Sequence, residues 1–157
     1  MVFTGQCACG NVKYVANVEN GAKAICHCLV CQKRTASAFS VNLMIPKETF
    51  KITQGMFVTS LLAKPFLTSP PSIGTTKSFA HTADSGKQYH NHFCGDCGCT
   101  LYGVPEAFPD LVSIKAGSLD DPLTNLGKMD AEAYVKRRRD YIVPFEGVNQ
   151  VEGMIEP

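Results

Sequence analysis

Along most of this chain, apolar and polar residues alternate instead of recurring every third or fourth position, so strands are the expected elements. From Val2 to Val18, Val12, Tyr14 and Ala16 alternate with polar neighbours while Gly5, Gly10 and Asn11 supply turn chemistry; two short strands around a turn are predicted. Val30 to Ala38 is polar and helix-compatible, and a short helix or turn fits there. Val41, Leu43 and Ile45, then Phe50 and Ile52, predict further strands between Ser40 and Phe57, with Pro46 and Gly55 as punctuation. Lys64 to Thr76 carries Pro65, Pro70, Pro71 and Gly74 and reads as a long loop, a candidate lid or partner surface. Thr82 to Gly86, with Asp84-Ser85-Gly86, predicts a turn, a hairpin leading into a strand from Gln88 to Phe93. Leu101, Gly103 and Leu111 to Ala116 suggest more strands, Ala131 to Arg139 one or two helical turns, and Pro144 to Pro157 an extended tail. The expected fold class is mostly β: one small domain over 1–157, built of short antiparallel sheets with little helix.

Composition narrows this reading. With 157 residues, 45% hydrophobic and 18% charged, the chain can bury a core and is neither disordered nor membrane-like. A formal net charge of +1 gives no electrostatic reason to expect nucleic acid or an anionic membrane as partner. The first residues lack the basic and apolar regions of a signal peptide, and no apolar run approaches the roughly 20 residues that span a bilayer. A soluble cytoplasmic protein is therefore expected, with a homodimer left open. In that compartment, close cysteine pairs bind metal or carry redox chemistry more often than they form disulfides.

All eight cysteines fall in three groups, which core packing alone does not produce. Cys7 and Cys9 form a C-x-C; Cys26, Cys28 and Cys31 lie within six residues; Cys94 and Cys97 form a C-x-x-C, with Cys99 just beyond. A structural zinc takes four soft ligands, commonly two pairs from distant parts of the chain, and Cys7 and Cys9 with Cys94 and Cys97 meet that need. The middle group offers only three thiolates, which leaves a coordination position for water or substrate, as in catalytic zinc sites. Two Zn²⁺ per chain are expected. His27 is the rival fourth ligand, but on an extended segment it points opposite to Cys26 and Cys28, which favours a packing or supporting role. Cys99 is open as a fourth ligand or as a small buried residue.

The runs Gly5-Gln6-Cys7-Ala8-Cys9-Gly10-Asn11-Val12, Cys26-His27-Cys28 with Cys31-Gln32-Lys33, and Phe93-Cys94-Gly95-Asp96-Cys97-Gly98 resemble the glutathione-dependent formaldehyde-activating enzyme family, which includes centromere-protein-V-like proteins. Ala116-Gly117-Ser118-Leu119-Asp120-Asp121 and Glu132-Ala133-Tyr134-Val135-Lys136 extend the likeness over nearly the whole chain. The resemblance implies a zinc-stapled β-tent, a structural zinc on the two outer pairs and a catalytic one on the middle group. It further implies a carbon–sulfur lyase-type activity that condenses formaldehyde with glutathione to S-hydroxymethylglutathione. Lys64 to Thr76 looks like an insertion relative to the short bacterial pattern.

Three thiolates on one divalent cation leave a net negative charge, which weakens Lewis acidity and favours handling a thiol over hydrolysis. Lys33 and Arg34 follow the middle group and are candidate contacts for glutathione carboxylates; solvated charges on a short helix explain them as well. His90 and His92 alternate on the strand entering Cys94, where packing is the simpler role. Lys136 to Arg139 is a basic run flanked by Asp130, Glu132 and Asp140, which reads as a solvated face. Two other readings stand beside a glutathione-adduct enzyme: a zinc lyase or hydrolase on another organic substrate, and a non-catalytic zinc binding module. A thiol-exchange protein lacks its expected βαβ surroundings.

Overall fold

The computed structural model of the protein describes residues 2–17, 21–57, 74–120 and 126–155. Among the described residues it is mostly β, as expected, with one α-helix of seven residues. Strands β1 (Val2–Gln6), β2 (Lys13–Asn17) and β5 (Phe50–Gln54) form an antiparallel three-stranded sheet in the order β1-β2-β5. The remaining strands are β3 (Ala22–Cys26), β4 (Ser40–Pro46), β6 (Met56–Phe57), β7 (Thr75–Thr82), β8 (Gln88–Cys94), β9 (Thr100–Pro105), β10 (Leu111–Lys115), β11 (Ala131–Ala133) and β12 (Asn149–Val151). These build a nine-stranded sheet in the order β12-β11-β3-β4-β10-β9-β8-β7-β6. Its centre is antiparallel, and parallel pairs occur toward both edges, at β11 with β3 and β12 and at β6 with β7. Helix α1 (Leu29–Thr35) joins β3 to β4.

The alternation read from the sequence sorts the large sheet into two faces. Leu43 and Ile45 of β4 and Val112 and Ile114 of β10 turn toward the small sheet, where they cluster with Val12, Tyr14 and Ala16. All seven are at most 1% exposed, so this is the dry core. Burial of such side chains contributes about 1.5–3 kcal/mol each. Their neighbours Asn42, Met44, Leu111, Ser113 and Lys115 point the other way and line a cavity of about 670 Å³. Register places Ser113 beside Met44 and Lys115 beside Asn42, so polar and apolar rows cross the strands together.

Three expectations change. Ala131 to Arg139 is a strand followed by a 3-10 turn at Val135–Arg137, with Tyr134 in the left-handed region at φ 58, not a run of helical turns. The open backbone edges of β3 and β12 on either side supply hydrogen-bond partners that outweigh the local preference of this segment. The tail is extended but contributes β12 to the sheet. The hairpin at Thr82 to Gly86 forms, but the extent of its first strand, Thr75–Thr82, was unmarked because its side chains are mostly exposed; seven paired positions with β8 hold it. The loop read over Lys64 to Thr76 lies outside the described residues up to position 73, and Thr75 and Thr76 open β7. Among the described residues, no helix is long and apolar enough to cross a membrane.

Candidate metal centres and active site

The C-x-C and C-x-x-C segments fold into matching tight turns. Gly10 at φ 74 donates its N–H to the Cys7 carbonyl at 2.9 Å, and Gly98 at φ 73 does the same to the Cys94 carbonyl at 2.9 Å. Only glycine takes that backbone without strain, and each turn folds its second cysteine back toward the first. The amide of Asn11 donates to the Asp96 carboxylate at 3.0 Å, which ties the two turns together across 85 residues of sequence. The Sγ atoms of Cys7, Cys9, Cys94 and Cys97 consequently lie within 4.8 Å of one another. The Cys7–Cys9 and Cys9–Cys94 separations are 3.4 and 3.7 Å. Zn–S bonds of about 2.3 Å in a tetrahedron demand S···S edges of about 3.8 Å, so the donor set and its spacing fit zinc.

Cys26, Cys28 and Cys31 bring three sulfurs within 4.8 Å of one another at the wall of the cavity. Cys26 ends β3, and Cys28 caps α1, its sulfur accepting the Cys31 backbone N–H at 3.3 Å. Hydrogen bonds among the three thiols hold the Cys31 thiol well below its usual range and push Cys26 up. Cys99 belongs to neither group; it packs against the core, partly buried, and its thiol points to the Thr100 carbonyl at 3.8 Å.

His27 turns away from the sulfurs and is fully buried. Its Nε2 meets Glu132 Oε1 at 2.8 Å and its Nδ1 faces the Ala38 carbonyl at 3.3 Å. Glu132, also fully buried, accepts Arg138 Nε at 2.8 Å and Nη2 at 3.2 Å. Burial pushes its carboxyl up, but the hydrogen bonds from Arg138 and His27 outweigh burial and hold it below its usual value. Gln32 donates its amide to the carbonyls of His27 at 2.7 Å and Arg137 at 2.9 Å. The C-H-C turn is thus clamped from behind, leaving its sulfurs toward the cavity.

Lys33 is exposed, and Arg34 packs its guanidinium 6.0 Å from the Phe79 ring centre and 5.6 Å from that of Phe93. Neither is among the side chains lining the cavity; the cations that do line it are Lys23, Lys115 and Arg137. Lys115 is 8% exposed. Its ammonium donates to Asn42 Oδ1 at 2.5 Å and Tyr89 Oη at 3.4 Å, and it sits 5.5 Å from the Tyr89 ring centre. Burial opposes its charge, yet Tyr89, Cys31 and Cys26 outweigh burial and raise its pKa. Sequence reasoning missed Lys115 because a lysine at the end of an alternating strand looks like a solvent-facing residue; its register opposite Asn42 was the available signal. The basic run divides in the structure: Arg138 pairs with Glu132, and Arg137 stacks 5.2 Å from Tyr134 at the cavity. His90 meets Glu106 at 3.1 Å, and His92 stacks 4.4 Å from Tyr102, where burial lowers its pKa to about 4.

Against known families, the profile described as glutathione-dependent formaldehyde-activating enzyme matches residues 2–64 and 69–137, which takes in both cysteine groups. The chain belongs to that family. A crystal structure of a Rhodobacter sphaeroides protein superposes with a TM-score of 0.53 at 16% identity, covering 80% of this chain and 96% of the other, and shows a shared fold. Comparison with curated protein sequences finds no match. Family membership links the chain to formaldehyde-activating chemistry with glutathione, and the two cysteine groups are where a metal ion can be held.

Proposed function

We propose that this protein is a zinc-dependent enzyme that makes or breaks a carbon–sulfur bond between glutathione, or a thiol adduct of its kind, and a carbonyl carbon. The observation that carries this reading is the placement of Cys26, Cys28 and Cys31 on the cavity wall with no fourth protein donor among the described residues. Zinc held there supplies stabilisation of a substrate thiolate at neutral pH. The cysteines fix three donors and present the remaining direction to the cavity. Their combined charge leaves the centre one negative charge, which suits an exchangeable thiol better than activation of water for hydrolysis. Lys115 balances that charge from within the same cavity. Arg137 at the cavity lining is the side chain best placed for a substrate carboxylate, in preference to Lys33 and Arg34.

A closed, non-catalytic zinc module would require a fourth protein ligand in the second group. Both nitrogens of His27 are engaged elsewhere and Cys99 lies outside the group, which favours the enzyme. The test is metal content and spectroscopy. Elemental analysis is expected to find two zinc ions in the wild type and one in Cys28→Ala. In the cobalt-substituted protein, glutathione is expected to change the thiolate-to-metal band. A second site spectroscopically blind to glutathione would sink the thiol mechanism.

A further inference from the structure

We propose that the cavity binds a carbonyl compound with an extended apolar body, its oxygen received by the Lys115 ammonium and its carbonyl carbon turned toward the sulfurs of Cys26, Cys28 and Cys31. The argument starts from the cost of Lys115. A buried ammonium is stable only where its charge and its donors are satisfied. No carboxylate pairs with it among the described residues. Asn42 and Tyr89 take two of its three donors, and the third is left to the cavity that Lys115 lines. An ammonium so placed is a preorganised donor for an oxygen on which negative charge develops.

Gly103 is part of this arrangement. A side chain there would collide with the Tyr89 ring and hydroxyl, so the glycine makes the groove across β9 in which Tyr89 lies to reach Lys115. Size then defines the ligand. A one-carbon carbonyl leaves nearly all of the roughly 670 Å³ to water, whereas cavities of roughly 300–1,000 Å³ commonly enclose whole organic ligands. Beyond Lys115 the wall is formed by Ala24, Met44, Ala107, Phe108, Leu111 and Ala133, which offer nothing to the charged ends of glutathione and much to an alkyl or aryl group. Of the other charged lining residues, Asp84 and Asp130 are exposed and Lys23 and Arg137 are half-buried.

The assignment of this carbonyl as the electrophile rests on the thiol reading given above. In that step the thiolate sulfur forms one C–S bond, the carbonyl π bond breaks, and its electron pair moves to the oxygen held by Lys115. The proton the thiol gave up returns to that oxygen from solvent. A thiol and a carbonyl compound give a hemithioacetal, with no oxidant or reductant, and the reverse step regenerates both.

Binding of unreactive methyl ketones to the zinc-loaded protein, followed by calorimetry, tests the site without turnover. Affinity is expected to rise about fourfold per added methylene from acetone to 2-heptanone. Lys115→Met is expected to bind 2-heptanone at least about tenfold more weakly, with an unchanged circular dichroism spectrum. In case that variant does not fold, the carbonyl ¹³C resonance of labelled 2-heptanone is read on wild type, where the ammonium contact moves it downfield. No gain with chain length, equal binding by Lys115→Met, or an unmoved resonance would each overturn the proposal. Ketone binding beside a cobalt band insensitive to glutathione would remove the thiol chemistry and leave the carbonyl site standing. A glutathione response without ketone binding would do the opposite.

Discussion

Cys7, Cys9, Cys94 and Cys97 bring four sulfurs together, whereas Cys26, Cys28 and Cys31 bring three together at the wall of a cavity, and the surroundings of the two groups differ. Around the first group the support is mainly backbone: two glycine turns and their N–H groups, with the Asn11–Asp96 hydrogen bond bridging them. Around the second it is long-range and ionisable, with His27, Glu132 and Arg138 behind the turn and Lys115 in front. A closed site needs only to be held together. If Cys26, Cys28 and Cys31 hold an ion with one position free, that site must be kept rigid, a task the buried His27 and Glu132 suit.

The sharpest way to break this contrast is to remove one sulfur from each site. Structural zinc contributes on the order of 10 kcal/mol in small metal-bound folds, comparable with the entire stability of an ordinary domain. Cys94→Ala is therefore expected to abolish cooperative thermal unfolding. Cys28→Ala is expected to melt cooperatively, with the second metal gone. Equal melting behaviour of the two variants would erase the distinction between a stapling and a working site.

Next in size is Glu132→Gln, which leaves the half-buried Arg138 without its counter-charge and should cost about 3 kcal/mol, the low end for breaking a buried pair. It also carries a pH signature. Because the folded carboxyl titrates below its usual value of 4.5, its contribution is fully present above that value and is lost as pH falls through the lower folded value. Urea unfolding of the wild type should accordingly show that loss of stability in acid, and Glu132→Gln should lack the corresponding slope. Competition with a chelator sharpens the comparison: the variant should surrender the metal at Cys26, Cys28 and Cys31 first and keep the four-cysteine one.

What the sequence made legible follows the same division. Cys7-x-Cys9-Gly10 and Cys94-x-x-Cys97-Gly98 announce their turns because ligand spacing and glycine position are local properties, and both turns form. The alternation in β2 and β4 likewise identified the face that becomes the core. His27 was readable as a residue turned from the metal because strand geometry separates neighbours. Its partner Glu132, 105 residues away, was not, since nothing local distinguishes a buried glutamate from a surface one. Lys115 and Tyr89 were hidden for the same reason: their meeting depends on register across β10, β9 and β8 and on a glycine between them. The bounds of β7 escaped because backbone pairing, not side-chain burial, holds it, and the strand at Ala131–Ala133 escaped because its parallel partners β3 and β12 are remote in sequence.

The smallest predicted effect belongs to that glycine, and it acts on the open site alone. In Gly103→Ala the new methyl overlaps the Tyr89 ring and hydroxyl, so Tyr89 must swing away and Lys115 loses both its second hydrogen bond and the aromatic face beneath it. Overpacking of this kind costs about 1–3 kcal/mol, readable as a lowered urea midpoint. If the clash with Tyr89 is the whole cause, the same substitution in a Tyr89→Ala background should cost markedly less, since the two residues are in contact and their effects couple. Metal at the four-cysteine site should stay unchanged in every arm. An undiminished cost in the double variant would place the strain in the backbone of β9 and detach Gly103 from the positioning of Lys115.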